Sequence, residues 1–151
     1  MEIVELSSGD GAFAARVLEA LPDWFGIAEA RAAYVAHAVA APMLIAQFDG
    51  GPAGYLSFHR HTCAHWEIHS MGVLPAHHRQ GAGRALVAAT VAWVRARGGD
   101  YLSVKTISAR HPDAHYADTR AFYAAMDFEP FEELPMLWGP DLPCLLLLRQ
   151  L

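Results

Sequence analysis

The stretch Val73-Leu74-Pro75-Ala76-His77-His78-Arg79-Gln80-Gly81-Ala82-Gly83-Arg84-Ala85-Leu86 carries a strand through a short basic loop into a long helix, and it constrains the fold more than any other part of the chain. The N–H groups that open a helix have no partner within it, and the helix dipole favours negative charge there. Glycines at 81 and 83 let an anion approach those amides closely. The segment therefore reads as an anion cradle. Its spacing is neither Gly-x-x-x-x-Gly-Lys-Ser/Thr nor Gly-x-Gly-x-x-Gly, which excludes the P-loop and the dinucleotide fingerprint.

Around this segment, periodicity sets the elements. Glu2 to Leu6 alternates as a strand, and Ser7-Ser8-Gly9-Asp10 offers several helix caps. Phe13, Val17, Leu18 and Leu21 then recur at helical spacing until Pro22. Trp24 and Phe25 lie in a short connection before an Ala-rich helix from about Ile27 to Ala40. Met43 to Phe48 and Ala53 to His59 flank Asp49-Gly50-Gly51 as a hairpin. Trp66 to Val73 reads as a strand, and Gly81 to Arg97 as a helix closed by Gly98-Gly99, with Leu86, Val87, Val91 and Val94 as its buried stripe. Tyr101 to Thr106 is a strand and Tyr116 to Met126 a helix. The last strands are expected at Met136 to Trp138 and Cys144 to Leu148, around Gly139-Pro140-Asp141. The order β-α-α-β-β-β-α-β-α-β-β predicts a mixed sheet with helices on its faces, an α/β or α+β layered fold. No repeat, linker or composition shift divides residues 1–151, so a single domain is expected.

Composition narrows the function. With 54% hydrophobic and 18% charged residues, the 151-residue chain can bury a sizeable core, which excludes disorder. Eleven Lys and Arg against 16 Asp and Glu leave a net charge of −5, and no basic footprint for duplex nucleic acid. The acidic start, Met1-Glu2-Ile3-Val4-Glu5, lacks a basic n-region, and no apolar run approaches the ~20 residues that span a bilayer. A cytoplasmic protein without a membrane partner is expected, with Cys63 and Cys144 reduced.

The loop and helix start resemble the signature of the GNAT superfamily, the Gcn5-related N-acetyltransferases, which runs Arg/Gln-x-x-Gly-x-Gly/Ala after a strand; here it is His78-Arg79-Gln80-Gly81-Ala82-Gly83. Thr119-Arg120-Ala121-Phe122-Tyr123-Ala124-Ala125-Met126-Asp127-Phe128 resembles the later motif of that superfamily, with Asp127 where Gly is usual and Tyr116 where Asn is common. Leu21 to Gly26, Ser103 to Thr106 and Leu137 to Cys144 look like segments of uncharacterised bacterial members. The resemblance implies a mostly antiparallel central sheet of six or seven strands flanked by about four helices, and transfer of an acetyl group from acetyl-coenzyme A directly to a primary amine of a small molecule, peptide or protein. A non-catalytic acyl-coenzyme A sensor is the alternative.

By the same resemblance, His78, Arg79, Gln80, Gly81, Ala82, Gly83 and Arg84 would meet the pyrophosphate, and Met71, Gly72 and Val73 would pair with the pantetheine arm. Tyr116 and Arg120 are further cofactor candidates. An amine with an ordinary pKa of about 10.4 must lose a proton before it attacks a thioester. The resemblance makes Glu67 the first candidate base, since it stands 14 residues before Gly81 where the histone-acetylating branch of the superfamily has its catalytic carboxylate, and His69, on the same strand face, is the second. Tyr123 would protonate the leaving thiolate. Each has a structural alternative: a solvated Glu67, a packed His69, a core Tyr123. Trp24, Phe25, Tyr34 and the stretch Ile107 to His115 are expected to border the acceptor groove. Lys105 is plausible in the site without an assigned place.

His59-x-His61-x-Cys63-x-His65, with His69 beyond, puts metal-capable side chains at alternate positions. Along an extended strand such side chains lie ~6.6 Å apart, wide for one ion, so no metal is expected. The apolar run Leu145 to Leu148 suits either a homodimer contact or burial within a monomer.

Overall fold

Of the candidate caps before the first helix, Asp10 is the one used: its side chain accepts the Phe13 amide at 2.9 Å. From there the computed structural model, which describes residues 1–151, follows the expected order. The elements are β1 (Glu2–Leu6), α1 (Gly11–Glu19), α2 (Ala28–Ala40), β2 (Met43–Phe48), β3 (Gly51–Arg60), β4 (His65–Val73), α3 (Ala82–Arg95), β5 (Tyr101–Ile107), α4 (Ala114–Ala124), β6 (Glu129–Leu134) and β7 (Cys144–Gln150). The seven strands form one sheet in the order β1-β2-β3-β4-β5-β7-β6. All neighbours are antiparallel except β4 and β5, which α3 joins as a parallel pair. No helix is long and apolar enough to cross a membrane.

Alternation along the strands fills two apolar layers. Leu44 and Leu56 face α3, whose Leu86, Val87, Val91 and Val94 are all buried as the periodicity requires. Ile45 and Tyr55, one position along, face α1 and its Phe13, Val17, Leu18 and Leu21. Helix α2 lies on that second face and brings Tyr34 and His37 toward β4. Strand β7 runs between β5 and β6, with Cys144 and Leu147 buried and Leu145, Leu146 and Leu148 partly buried.

One strand lies elsewhere than the apolar pattern suggested. Residues 136–138 form a turn, and the strand beside β7 is β6, whose sequence Glu-Pro-Phe-Glu-Glu-Leu is almost wholly exposed. An edge strand tolerates Pro and charge because one of its sides pairs with nothing, and those residues hide it from a hydrophobic reading. The last helix also begins earlier than expected, at Ala114, because Asp113 caps it by accepting the amides of His115 and Tyr116.

Two irregularities in β4 position the site. Its register with β3 passes from Phe58↔Ile68 to Ser57↔Ser70, leaving His69 unopposed as a bulge. Its ladder with β5 runs only from His65↔Tyr101 to Ile68↔Val104, although β4 continues to Val73 and β5 to Ile107. The bulge bends β4, and the two parallel strands part beyond Ile68.

Candidate active site

A cleft of about 1470 Å³ opens where β4 and β5 separate, and it continues from the start of α3 to the α1–α2 connection. Backbone groups on that side of β4 have no strand to pair with, so an extended ligand can take the place of the missing ladder.

At one end lies the anion cradle. Gly81 adopts φ +87°, Arg79 φ +62°, and no side chain caps α3. None of the backbone amides of residues 79–84 has a partner in the chain. A Cβ placed on Gly81 meets nothing within 4 Å, so the glycine serves the left-handed turn and leaves the space above the amides open. Free amides, an open approach, and Arg79 and Arg84 beside them suit a diphosphate. Four residues flagged in the sequence are placed otherwise. The His78 amide donates to Pro75 O at 3.1 Å and its ring Nε2–H to Val73 O at 2.8 Å, which shapes the loop. Gln80 donates its side-chain amide to Ala76 O at 2.9 Å. Gly72 lies outside the cleft, where its Cβ would come within 2.7 Å of Val17. Arg120 also lies outside and donates to Ile107 O at 2.8 Å, tying α4 to the end of β5.

The other end is aromatic. Trp24, Phe25 and Tyr34 line it, with Tyr34 edge-on to Phe25 and to His69. The connection bearing Trp24 is fastened to α4 by two hydrogen bonds: Trp24 Nε1–H to Thr119 Oγ1 at 3.0 Å, and the Tyr116 hydroxyl to Trp24 O at 2.7 Å. Tyr116 lines the cleft and holds its wall in place. Of the stretch Ile107 to His115 only Ile107 reaches the cleft, whereas Leu137, Trp138 and Leu142, from the turn before β7, form wall that periodicity did not flag.

Between the ends sit the ionisable groups. Glu67 is 5% exposed and accepts Lys105 Nζ at 2.6 Å and His61 Nε2 at 2.5 Å. Burial alone would raise its pKa, but these two hydrogen bonds and the attending charges outweigh it and hold the carboxyl below its usual range. Lys105 thus acquires a place, and His61 a bond that its turn position had not suggested. His69 shares the face of Glu67; burial, then the neighbouring His37 and His59, push it down to about 4. Tyr123, 5% exposed and packed edge-on against Phe122 and Phe128, lines the cleft from α4, with its pKa raised by burial.

The acetyltransferase (GNAT) family model matches residues 14–128, which span the cradle, the parted strands and α4. The chain belongs to the GNAT family. No curated protein sequence matches it. Among solved structures, a GNAT-family protein from Desulfovibrio desulfuricans superposes with a TM-score of 0.80 at 23% identity, over 99% of both chains. The aminoglycoside 6'-N-acetyltransferase from Enterococcus faecium gives 0.74 at 18% identity, and a GNAT acetyltransferase from Elizabethkingia anophelis with acetyl-CoA bound gives 0.73 at 14%; each match covers 99% of this chain and 97% of the other. At such identities the shared property is the GNAT fold.

Within this GNAT fold the two thiols stand apart from the chemistry. Cys144 is buried outside the cleft lining, and burial pushes its thiol up to about 11. Cys63 is exposed in the β3–β4 turn, also outside the cleft. Iodoacetamide at pH 8 is therefore expected to modify one thiol per native chain, Cys63, because the thiolate is the reactive form. Peptide mapping by mass spectrometry checks this; a carbamidomethyl group on Cys144 of the folded protein contradicts it.

Proposed function

We propose that this protein is an N-acetyltransferase that moves the acetyl group of acetyl-CoA directly onto a primary amine. The observation that carries the reading is the parting of β4 and β5 between the free amides of residues 79–84 at one end and Tyr123, Glu67 and His61 along its walls. Acetyl-CoA, when bound, supplies an activated acyl thioester. The amides at the start of α3 hold its diphosphate, Arg79 and Arg84 add charge, and unpaired backbone of Met71 and Val73 takes the pantetheine amides.

Glu67, ionised and facing the cleft, draws an ammonium toward the thioester carbonyl. His61 donates Nε2–H to Glu67, which leaves Nδ1 as acceptor for the amine proton. This pair suits proton removal better than His69, whose depressed pKa makes it a weak base. The C–N bond forms, the C–S bond breaks, and the Tyr123 hydroxyl gives its proton to the departing thiolate. Water carries the first ammonium proton from His61 to bulk, and the second, lost by nitrogen as the C–N bond forms, passes through water to the Tyr123 phenolate. Direct transfer agrees with the placement of Cys63 and Cys144 away from the cleft.

The acceptor is a primary amine with an apolar portion, as the Trp24, Phe25 and Tyr34 wall favours. Acetyl-CoA offered with lysine peptides, N-terminal peptides, polyamines, amino acids and aminoglycosides should release thiol with at least one class and yield a product heavier by one acetyl group. Thiol release with none of them, from protein that binds acetyl-CoA, rejects the enzyme in favour of a sensor. Glu67→Gln is expected to lower kcat/KM by roughly 10- to 100-fold, the worth of one charge-assisted hydrogen bond, with acetyl-CoA affinity unchanged. Full activity in that variant places proton removal elsewhere.

A further inference from the structure

We propose that His37, His59 and His69 form a binding site for a divalent transition-metal ion, zinc in the first place, on the α2 face of the sheet beside the cleft. The potential ligand atoms of the three side chains lie within 4.8 Å of one another. Zn–N bonds of about 2.1 Å put tetrahedral ligand nitrogens roughly 3.4 Å apart, so ring rotations that move each atom by under ~1 Å close the site. The rings already cluster, with His37 stacked on His69 at 3.6 Å between centroids and His59 4.9 Å from His37 and 5.4 Å from His69; metal binding requires one ring of the stack to tilt so that both lone pairs converge on the ion.

Nδ1 of His37 and Nδ1 of His59 are buried with no hydrogen-bond partner. A buried nitrogen left without a partner is costly, and two in one cluster point to a ligand that takes their lone pairs. The carboxylate of Glu67 lies within 4.8 Å of the His59 ligand atom and brings negative charge to that side of the site, partly offset by Lys105 bound to it at 2.6 Å.

The strand spacing that argues against one ion does not govern this site, because its ligands come from three separate elements. His37 descends from α2, His59 is the last residue but one of β3, and His69 sits at the β4 bulge. The alternating pattern read from the sequence is dispersed: Cys63 is exposed in the turn, and His65 bonds Ser103 Oγ at 2.7 Å. A second tripod of His59, His61 and Glu67 has the proximity, but its His61 and Glu67 already bond each other, and Glu67 holds Lys105. Three protein nitrogens leave a fourth position for water or an amine, and His59 and His69 open it toward the cleft.

Calorimetric titration of metal-free full-length protein with zinc chloride tests the site. The expected result is one zinc per chain in the wild type and in Cys63→Ser, weakened at least ~10-fold in His37→Gln and in His59→Gln, with thermal melts checking that each variant folds. Absence of stoichiometric binding, or equal affinity in folded His37→Gln, overturns the proposal. A reading that needs no variant comes from imidazole proton resonances of the wild type during the same titration. Three resonances belonging to His37, His59 and His69 should move together, and movement confined to other histidines overturns the site.

Discussion

Tyr123→Phe should lower turnover by ~10²- to 10³-fold, the range that a positioned acid contributes, while leaving acetyl-CoA affinity within about twofold. The substitution removes one oxygen from a ring that α4 packs edge-on against Phe122 and Phe128, so the packing survives and the melting temperature barely changes. What disappears is the proton for the thiolate. Burial keeps the Tyr123 hydroxyl protonated at any pH near neutrality, so in the wild type the donor form is always present. Pre-steady-state and steady-state thiol release, measured beside calorimetric affinity, separates the two effects. A rate equal to that of the wild type removes Tyr123 from the chemistry; a lost affinity with an intact rate makes it a wall residue.

Gly81→Val is expected to act on binding. A β-branched residue at φ +87° is strained by roughly 1–3 kcal/mol, which for a chain of this size lowers the melting temperature by about 2–10 °C. The protein around position 81 offers no clash, since nothing lies within 4 Å of the added Cβ. The fold should therefore survive, and the loss falls on the space over the free amides of residues 79–84, where a diphosphate would rest. Acetyl-CoA affinity should fall by at least ~30-fold, the equivalent of about 2 kcal/mol. An unaltered dissociation constant in the folded variant would mean that the cradle lies elsewhere.

Local periodicity made most of this fold legible. The strand and helix order and the buried stripe of α3 follow from spacing and residue type over a few positions, while the choice of Asp10 among the several possible caps came only with the fold. Asp127 shows how a family pattern reads through a substitution: it holds φ +62°, the left-handed turn that the usual glycine would supply, and Asp tolerates that region better than most residues. Strand β6 was hidden because its edge position asks for no hydrophobic alternation.

The cleft was half legible. A glycine-flanked helix start announces itself in sequence, whereas the early end of the β4–β5 ladder and the bulge at His69 are pairings between distant segments. The same holds for Lys105 on Glu67, Tyr116 on Trp24 and Arg120 on Ile107. His37 carried no signal at all within an alanine-rich helix, and only the fold brings it to His69.

The most direct measurement is calorimetric titration of the purified protein with acetyl-CoA. Saturable binding at one molecule per chain, competed by free coenzyme A, is the expected result. The absence of any binding would contradict the assignment of the α3 amides and the parted strands as the acyl-donor site, and with it the proposed transfer.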